Sequence, residues 1–192
     1  MKVRHLAMLG ALVVMTALPV HAQEAVHLEG QGQTATAPFY PPAEWSVAQF
    51  THDGRRNFIV KSFGGPREEL LVNTIGSYTG ARPIHATDPR SLDIDADGAW
   101  TVQIDPIGIA DGAAFSGHGD AVGGWFDPPG SGPWTFTHDG QKNFIARAHC
   151  AGGDVLAQNV IGALDASRVM QFRGGPCFWE VEADGNWSLA PR

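Results

Sequence analysis

Two short segments carry the residue types from which an active site can be built. Phe50 to Ile59 reads F-T-H-D-G-R-R-N-F-I and Phe136 to Ile145 reads F-T-H-D-G-Q-K-N-F-I. His52 beside Asp53 has the makings of a general base with its orienting carboxylate, or of two metal ligands, and His138 with Asp139 repeats it. The same residues also make good turns. Asp caps backbone groups and tolerates turn conformations, Gly54 supplies a positive φ, Asn57 and Asn143 can bond across the loop, and His52 shares a strand face with Phe50. The turn accounts for every member of the motif, so His52, Asp53, Asn57, His138, Asp139 and Asn143 are expected to serve structure.

Other chemistry is sparse. The nearest approach to a nucleophile elbow is Ala114-Phe115-Ser116-Gly117-His118, where Ala and His stand in place of the two required glycines. Gly30-x-Gly32 and Gly117-x-Gly119 precede no helical pattern, which makes them bends beside a strand and not phosphate cradles. Asp93, Asp95 and Asp97, matched by Glu180, Glu182 and Asp184, put carboxylates on one strand face, and Ca²⁺ is the cofactor this leaves open. Carboxylates two apart on a strand sit about 7 Å from each other, too far to share one ion without splaying. Of six tryptophans, alternation assigns Trp100 and Trp187 to the core, with Trp45, Trp134 and Trp179 beside them. Tyr40, Tyr78 and Trp125 are left as aromatics able to face a ligand such as a sugar.

The elements that must position these residues come in two copies. His138 follows His52 by 86 positions, and at the same offset Leu70, Asn73, Ile75 and Gly76 match Leu156, Asn159, Ile161 and Gly162. Ala96-Asp97-Gly98-Ala99-Trp100 matches Ala183-Asp184-Gly185-Asn186-Trp187 one residue further on. Leu92, Ile94 and Ala96 alternate with acids up to Asp97-Gly98-Ala99, and Trp100, Val102 and Ile104 alternate after it, which reads as a three-residue β-hairpin with a left-handed residue at Ala99. Trp45 to His52 and Asn57 to Phe63 read as a second hairpin around Asp53-Gly54. With Val26 to Glu29, Glu68 to Val72 and Arg82 to Thr87 the count is about seven strands per copy, spaced as in a sandwich. The expected fold is all-β: two tandem small antiparallel β-sandwich modules, jelly-roll-like, at 23–106 and 112–192, joined by a linker at 107–111.

The first 22 residues read as a signal peptide: Lys2 and Arg4, then an apolar run from Leu6 to Leu18, then Val20-His21-Ala22. The run of about 13 residues is short of the roughly 20 that span a bilayer. Cleavage before Gln23 would take the net charge from −7 down by two, to −9. Such a surface does not suit nucleic acid or an anionic membrane surface, and no later run approaches the length that insertion into a membrane needs. Cys150 and Cys177, the two cysteines of the chain, are then most simply one disulfide formed in a periplasmic or secreted protein.

With its Gly-x-Gly, His-Asp-Gly-x-x-Asn-Phe and Ala-Asp-Gly-x-Trp motifs, the module resembles repeat domains of uncharacterised exported bacterial proteins. In layout it is similar to pre-peptidase C-terminal and carbohydrate-binding sandwich modules. The resemblance implies no catalytic residue. The expected function is a non-catalytic structural, adhesion or binding protein of the cell envelope, its partner a polysaccharide or another envelope protein. A carbohydrate-binding protein and a small secreted hydrolase are the alternatives.

Overall fold

The computed structural model describes residues 24–65, 67–85 and 88–192, and the expected signal peptide lies outside them. The first half holds β1 (Val26–Gln31), β2 (Thr34–Ala35), β3 (Trp45–His52), β4 (Asn57–Phe63), β5 (Glu69–Ile75), β6 (Tyr78–His85), β7 (Ser91–Asp95) and β8 (Ala99–Pro106). The second holds β9 (Phe115–His118), β10 (Ala121–Val122), β11 (Gly132–His138), β12 (Asn143–Cys150), β13 (Val155–Ile161), β14 (Leu164–Met170), β15 (Cys177–Glu182) and β16 (Asn186–Pro191). No described residue is helical.

Each half is a pair of four-stranded antiparallel sheets. The first pairs them as β1-β8-β3-β6 and β2-β7-β4-β5, the second as β9-β16-β11-β14 and β10-β15-β12-β13. Eight strands in this order make a jelly roll. Inward-facing side chains alternate along β3, β4, β7, β8, β11 and β16, and Phe50, Phe58, Ile94 and Ile104 fill one core and Trp134, Phe136, Phe144 and Trp179 the other, each at 1% exposure or less. Burying one such side chain contributes about 1.5–3 kcal/mol.

The connections differ from those expected. β7 and β8 do not pair with each other: β7 bonds β4 and β2, whereas β8 bonds β1 and β3. The segment Asp97-Gly98-Ala99 is therefore an arch from one sheet to the other, and so is Asp53-Gly54 between β3 and β4. An arch turns the same residues toward the core as a hairpin with an odd loop, since both strands point inward across the sandwich. Trp100 and Trp187 are accordingly buried, at 2% and 3% exposure. No described non-glycine residue has a positive φ and Gly54 has none either, so neither Ala99 nor Gly54 is left-handed. Among the described residues, only β4 with β5 and β12 with β13 are consecutive strands that pair.

Cys150 and Cys177 form the disulfide, linking β12 to its neighbour β15 with Cα atoms 4.0 Å apart. In the first half Gly64 and Arg90 occupy these positions. The Arg90 side chain is buried, lies against Gly65 and donates to the His85 carbonyl, so a packed guanidinium stands where the second half has a covalent bond. Between the halves the chain is tied down: Trp125 N–H donates to the Gly108 carbonyl (2.7 Å) and Ala110 N–H to that of Trp125 (2.8 Å).

Candidate functional site

The two arches of each module cap one another. Ala99 N–H donates to Asp53 Oδ1 at 2.7 Å, while Arg55 and Arg56 N–H both donate to Asp97 Oδ1 at 3.1 Å. Each aspartate thus satisfies the backbone of the other arch. Gly54 packs against Asp97 and His52, and Gly98 against Asp53, leaving no room for a Cβ at either position. His52 closes the unit from inside: its side chain is 0% exposed, Nδ1–H donates to the Gly76 carbonyl at 2.9 Å, its ring stacks on Phe58 at 4.5 Å, and Nε2 lies 3.5 Å from Asp97 Oδ1.

The second module repeats the arrangement. Asn186 donates to Asp139 through its N–H (2.6 Å) and its side-chain amide (2.8 Å), and Gln141 and Lys142 N–H each donate to Asp184 at 3.0 Å. His138 Nδ1–H donates to the Gly162 carbonyl at 2.8 Å, with Nε2 3.5 Å from Asp184. The backbone N–H groups of Arg56 and Arg55 hold the Asp97 carboxyl below its usual range, and the Asn186 donors do so for Asp139. For Asp184, burial acts upward but the Lys142 and Gln141 N–H groups outweigh it, and the net shift is downward. Asn57 and Asn143 stand exposed at the starts of β4 and β12 and make no side-chain hydrogen bond across the loop among the described residues.

The Gly-x-Gly and Trp motifs are also one unit. Trp100 Nε1–H donates to the Gly32 carbonyl at 3.0 Å and Trp187 Nε1–H to that of Gly119 at 2.8 Å, while the rings lie flat against Gly30 and Gly117. Gly32 and Gly119 take φ of 69° and 68°, where glycine is favoured.

The richest polar cluster lies between the modules. Arg82 of β6, with 14% of its side chain exposed, reaches both oxygens of Glu182 at 2.9 Å, and Glu180 and Asp120 at 3.5 Å. Tyr78 O–H donates to Asp120 Oδ2 at 2.7 Å, Ala183 N–H to Asp120 Oδ1 at 3.0 Å, and Ala81 N–H to the Asp120 carbonyl at 3.0 Å. Burial opposes the Arg82 charge, but the Glu182 hydrogen bond and the Asp120 and Glu182 fields more than offset it, so its pKa rises. Burial and then Asp120 push the Tyr78 hydroxyl far up, which keeps it a donor. Burial would raise Glu180, yet the His149 hydrogen bond and charge and the Arg82 charge bring it below its usual range.

Beside this cluster the modules enclose a cleft of about 430 Å³, lined among others by Asn73, Tyr78, His118, Lys142, Asn143 and Glu182. An aromatic seam completes the contact: Trp45, which packs on His85 of its own module (4.5 Å), meets Phe178 (5.0 Å) and His149 (5.2 Å) of the second, where Trp125 stands edge-on to Phe178 at 4.9 Å.

Trp45 is therefore a half-buried contact between modules where a core position was expected. Of the three aromatics expected to face a ligand, Tyr78 and Trp125 are also drawn into this contact, while Tyr40 stands exposed and apart at 60%. Glu180 and Glu182 serve Arg82, Asp97 and Asp184 cap arches, and no three metal-ligating side chains converge among the described residues. Sequence reasoning missed Arg82 and Asp120. Arg82 had a signal, for Arg168 matches it at the 86-residue offset; Asp120 had none, since Gln33 holds its place in the first copy.

No protein-family model matches the chain, and no curated protein does.

Proposed function

We propose that the chain is an exported, non-catalytic structural or binding protein of the cell envelope whose two jelly rolls act as one locked body. The observation that carries this reading is the engagement of the duplicated polar residues. His52, Asp53 and Asp97, like His138, Asp139 and Asp184, are bound to backbone groups of neighbouring arches; both imidazoles are sealed from solvent, so the groups most like a general base are closed to a substrate, and the exposed carboxylates are taken up by the arch N–H groups. The disulfide and the resemblance to repeat domains of exported proteins support the same location.

Cell fractionation should place the protein in the periplasm or medium with Gln23 as its first residue. The purified chain should co-sediment with envelope material and turn over no ester, peptide, glycoside or phosphate substrate. Turnover that His118→Ala or Tyr78→Phe abolishes without lowering the melting temperature would sink the reading in favour of a small hydrolase.

The cleft favours a second reading, a carbohydrate-binding protein. Its volume of about 430 Å³ falls within the roughly 300–1,000 Å³ of small-molecule sites, and its amides, hydroxyl and carboxylates suit sugar hydroxyls. Calorimetric titration with envelope oligosaccharides should then give a heat that Asn73→Ala with Asn143→Ala removes.

A further inference from the structure

The contact between the two modules is head to tail, and each half of it recurs, unused, at the far end of the molecule. The edge that β5 and β6 present in the first module has its counterpart in β13 and β14 of the second. Arg82 corresponds to Arg168, Leu70 to Leu156 and Asn73 to Asn159. The face that receives it, β10 and β15 with Glu180 and Glu182, has its counterpart in β2 and β7, where Asp93 and Asp95 take the same register positions and Lys61 stands for Arg147.

Burial separates the used copies of the charged residues and their neighbours from the unused ones, while Leu70 and Asn73 stay exposed as Leu156 and Asn159 do. Arg82, Pro83, Glu180 and Glu182 are partly covered, whereas Arg168, Val169, Asp93 and Asp95 are all exposed, Val169 at 71%. Arg168 pairs with no carboxylate among the described residues and folds back onto the Leu156 and Ala157 carbonyls. Asp93 and Asp95 form no ion pair among the described residues, and β14 keeps the unpaired outer edge that β6 turns toward Asp120.

We infer that copies of this chain join head to tail, the β13–β14 edge of one docking on the β2–β7 face of the next through Arg168 with Asp93 and Asp95, by the operation that already relates the two modules. An interface of this heterologous kind does not close on two copies and propagates as a filament or ring. At the free ends Leu164 and Gln33 replace Tyr78 and Asp120, and Ser131 and Ser91 replace Trp45 and Phe178. The contact between chains is therefore the polar half of the contact within them, weaker and reversible, and without the linker that raises the local concentration. This inference deepens the structural reading above and rests on it only for the claim that assembly is the protein's purpose.

The test is sedimentation velocity on the full exported chain over a concentration series at low and high salt. The weight-average mass should climb beyond the monomer's with concentration and fall back in salt, because the pairing charges are exposed. Arg168→Glu alone, and Asp93→Arg with Asp95→Arg alone, should each stay monomeric. An equimolar mixture of the two variants should recover the wild-type mass, since each then offers the other an opposite charge at both ends. If Arg168→Glu fails to fold, Val169→Glu places a like charge opposite the same acids from an exposed position and should also abolish assembly. A wild-type chain that stays monomeric throughout, variants that assemble as wild type does, or a mixture no heavier than its components overturns the inference; envelope co-sedimentation then judges the proposed function separately.

Discussion

His52 and Asp97 meet at 3.5 Å from arches that lie 40-odd residues apart in the chain, and the pair recurs as His138 and Asp184. His52→Ala removes the bond to Gly76 and the stack on Phe58, and should cost about 1–3 kcal/mol in a denaturant titration. The capping carboxylates make the fold acid-sensitive. Asp97, Asp139 and Asp184 all titrate below the ordinary 3.8 when folded, so their contribution is complete above that value and drains away as the pH falls through the lowered ones. Melting temperatures taken from pH 6 downward should therefore drop below about pH 4, and Asp97→Asn with Asp184→Asn should flatten the fall. That His and Asp here build turns was legible in the sequence, because every motif neighbour is a turn or core residue. Their mutual partners were not, since a hairpin reading sends each Asp to its own loop instead of the other arch.

Strand faces followed from alternation alone: Leu92, Ile94, Trp100, Val102 and Ile104 are all buried. Strand partners did not follow, because a period of two is the same in a hairpin and in an arch, and only the distant strands β1, β3 and β4 decide between them. The cysteines were legible as a pair, and their placement on adjacent strands makes a further prediction. Reduction opens a link spanning 27 residues, worth about 3–4 kcal/mol on the chain-entropy model. The loss should be confined to the second module, since the first relies on Arg90. Hydrogen exchange of the reduced protein should show deprotection of β12 and β15 while β4 and β7 keep their protection.

At the boundary of the two jelly rolls the Arg82 guanidinium holds three carboxylates of the second module. Arg82→Met would leave Asp120, Glu180 and Glu182 facing one another in a partly dry site, and breaking a buried pair in this way costs about 3 kcal/mol or more. Calorimetry should then resolve two transitions where the wild type is expected to give one. Of this contact only the duplicated arginine left a trace in the sequence; its partners depend on how one repeat sits on the next, which no internal periodicity encodes. The jelly-roll order also governs the sequence of events by which the chain becomes whole. β8 lies between β1 and β3, and β16 between β9 and β11, so in each module the last strand along the chain fills a central gap. A polypeptide emerging from its N-terminus holds β1 idle until Ala99–Pro106 arrives, and the second sandwich waits for Asn186–Pro191 in the same way. Only the β4–β5 and β12–β13 ribbons can form early, as local pairings close first. A chain halted before Trp187 would leave β9 and β11 with open edges, the state in which strands recruit foreign partners.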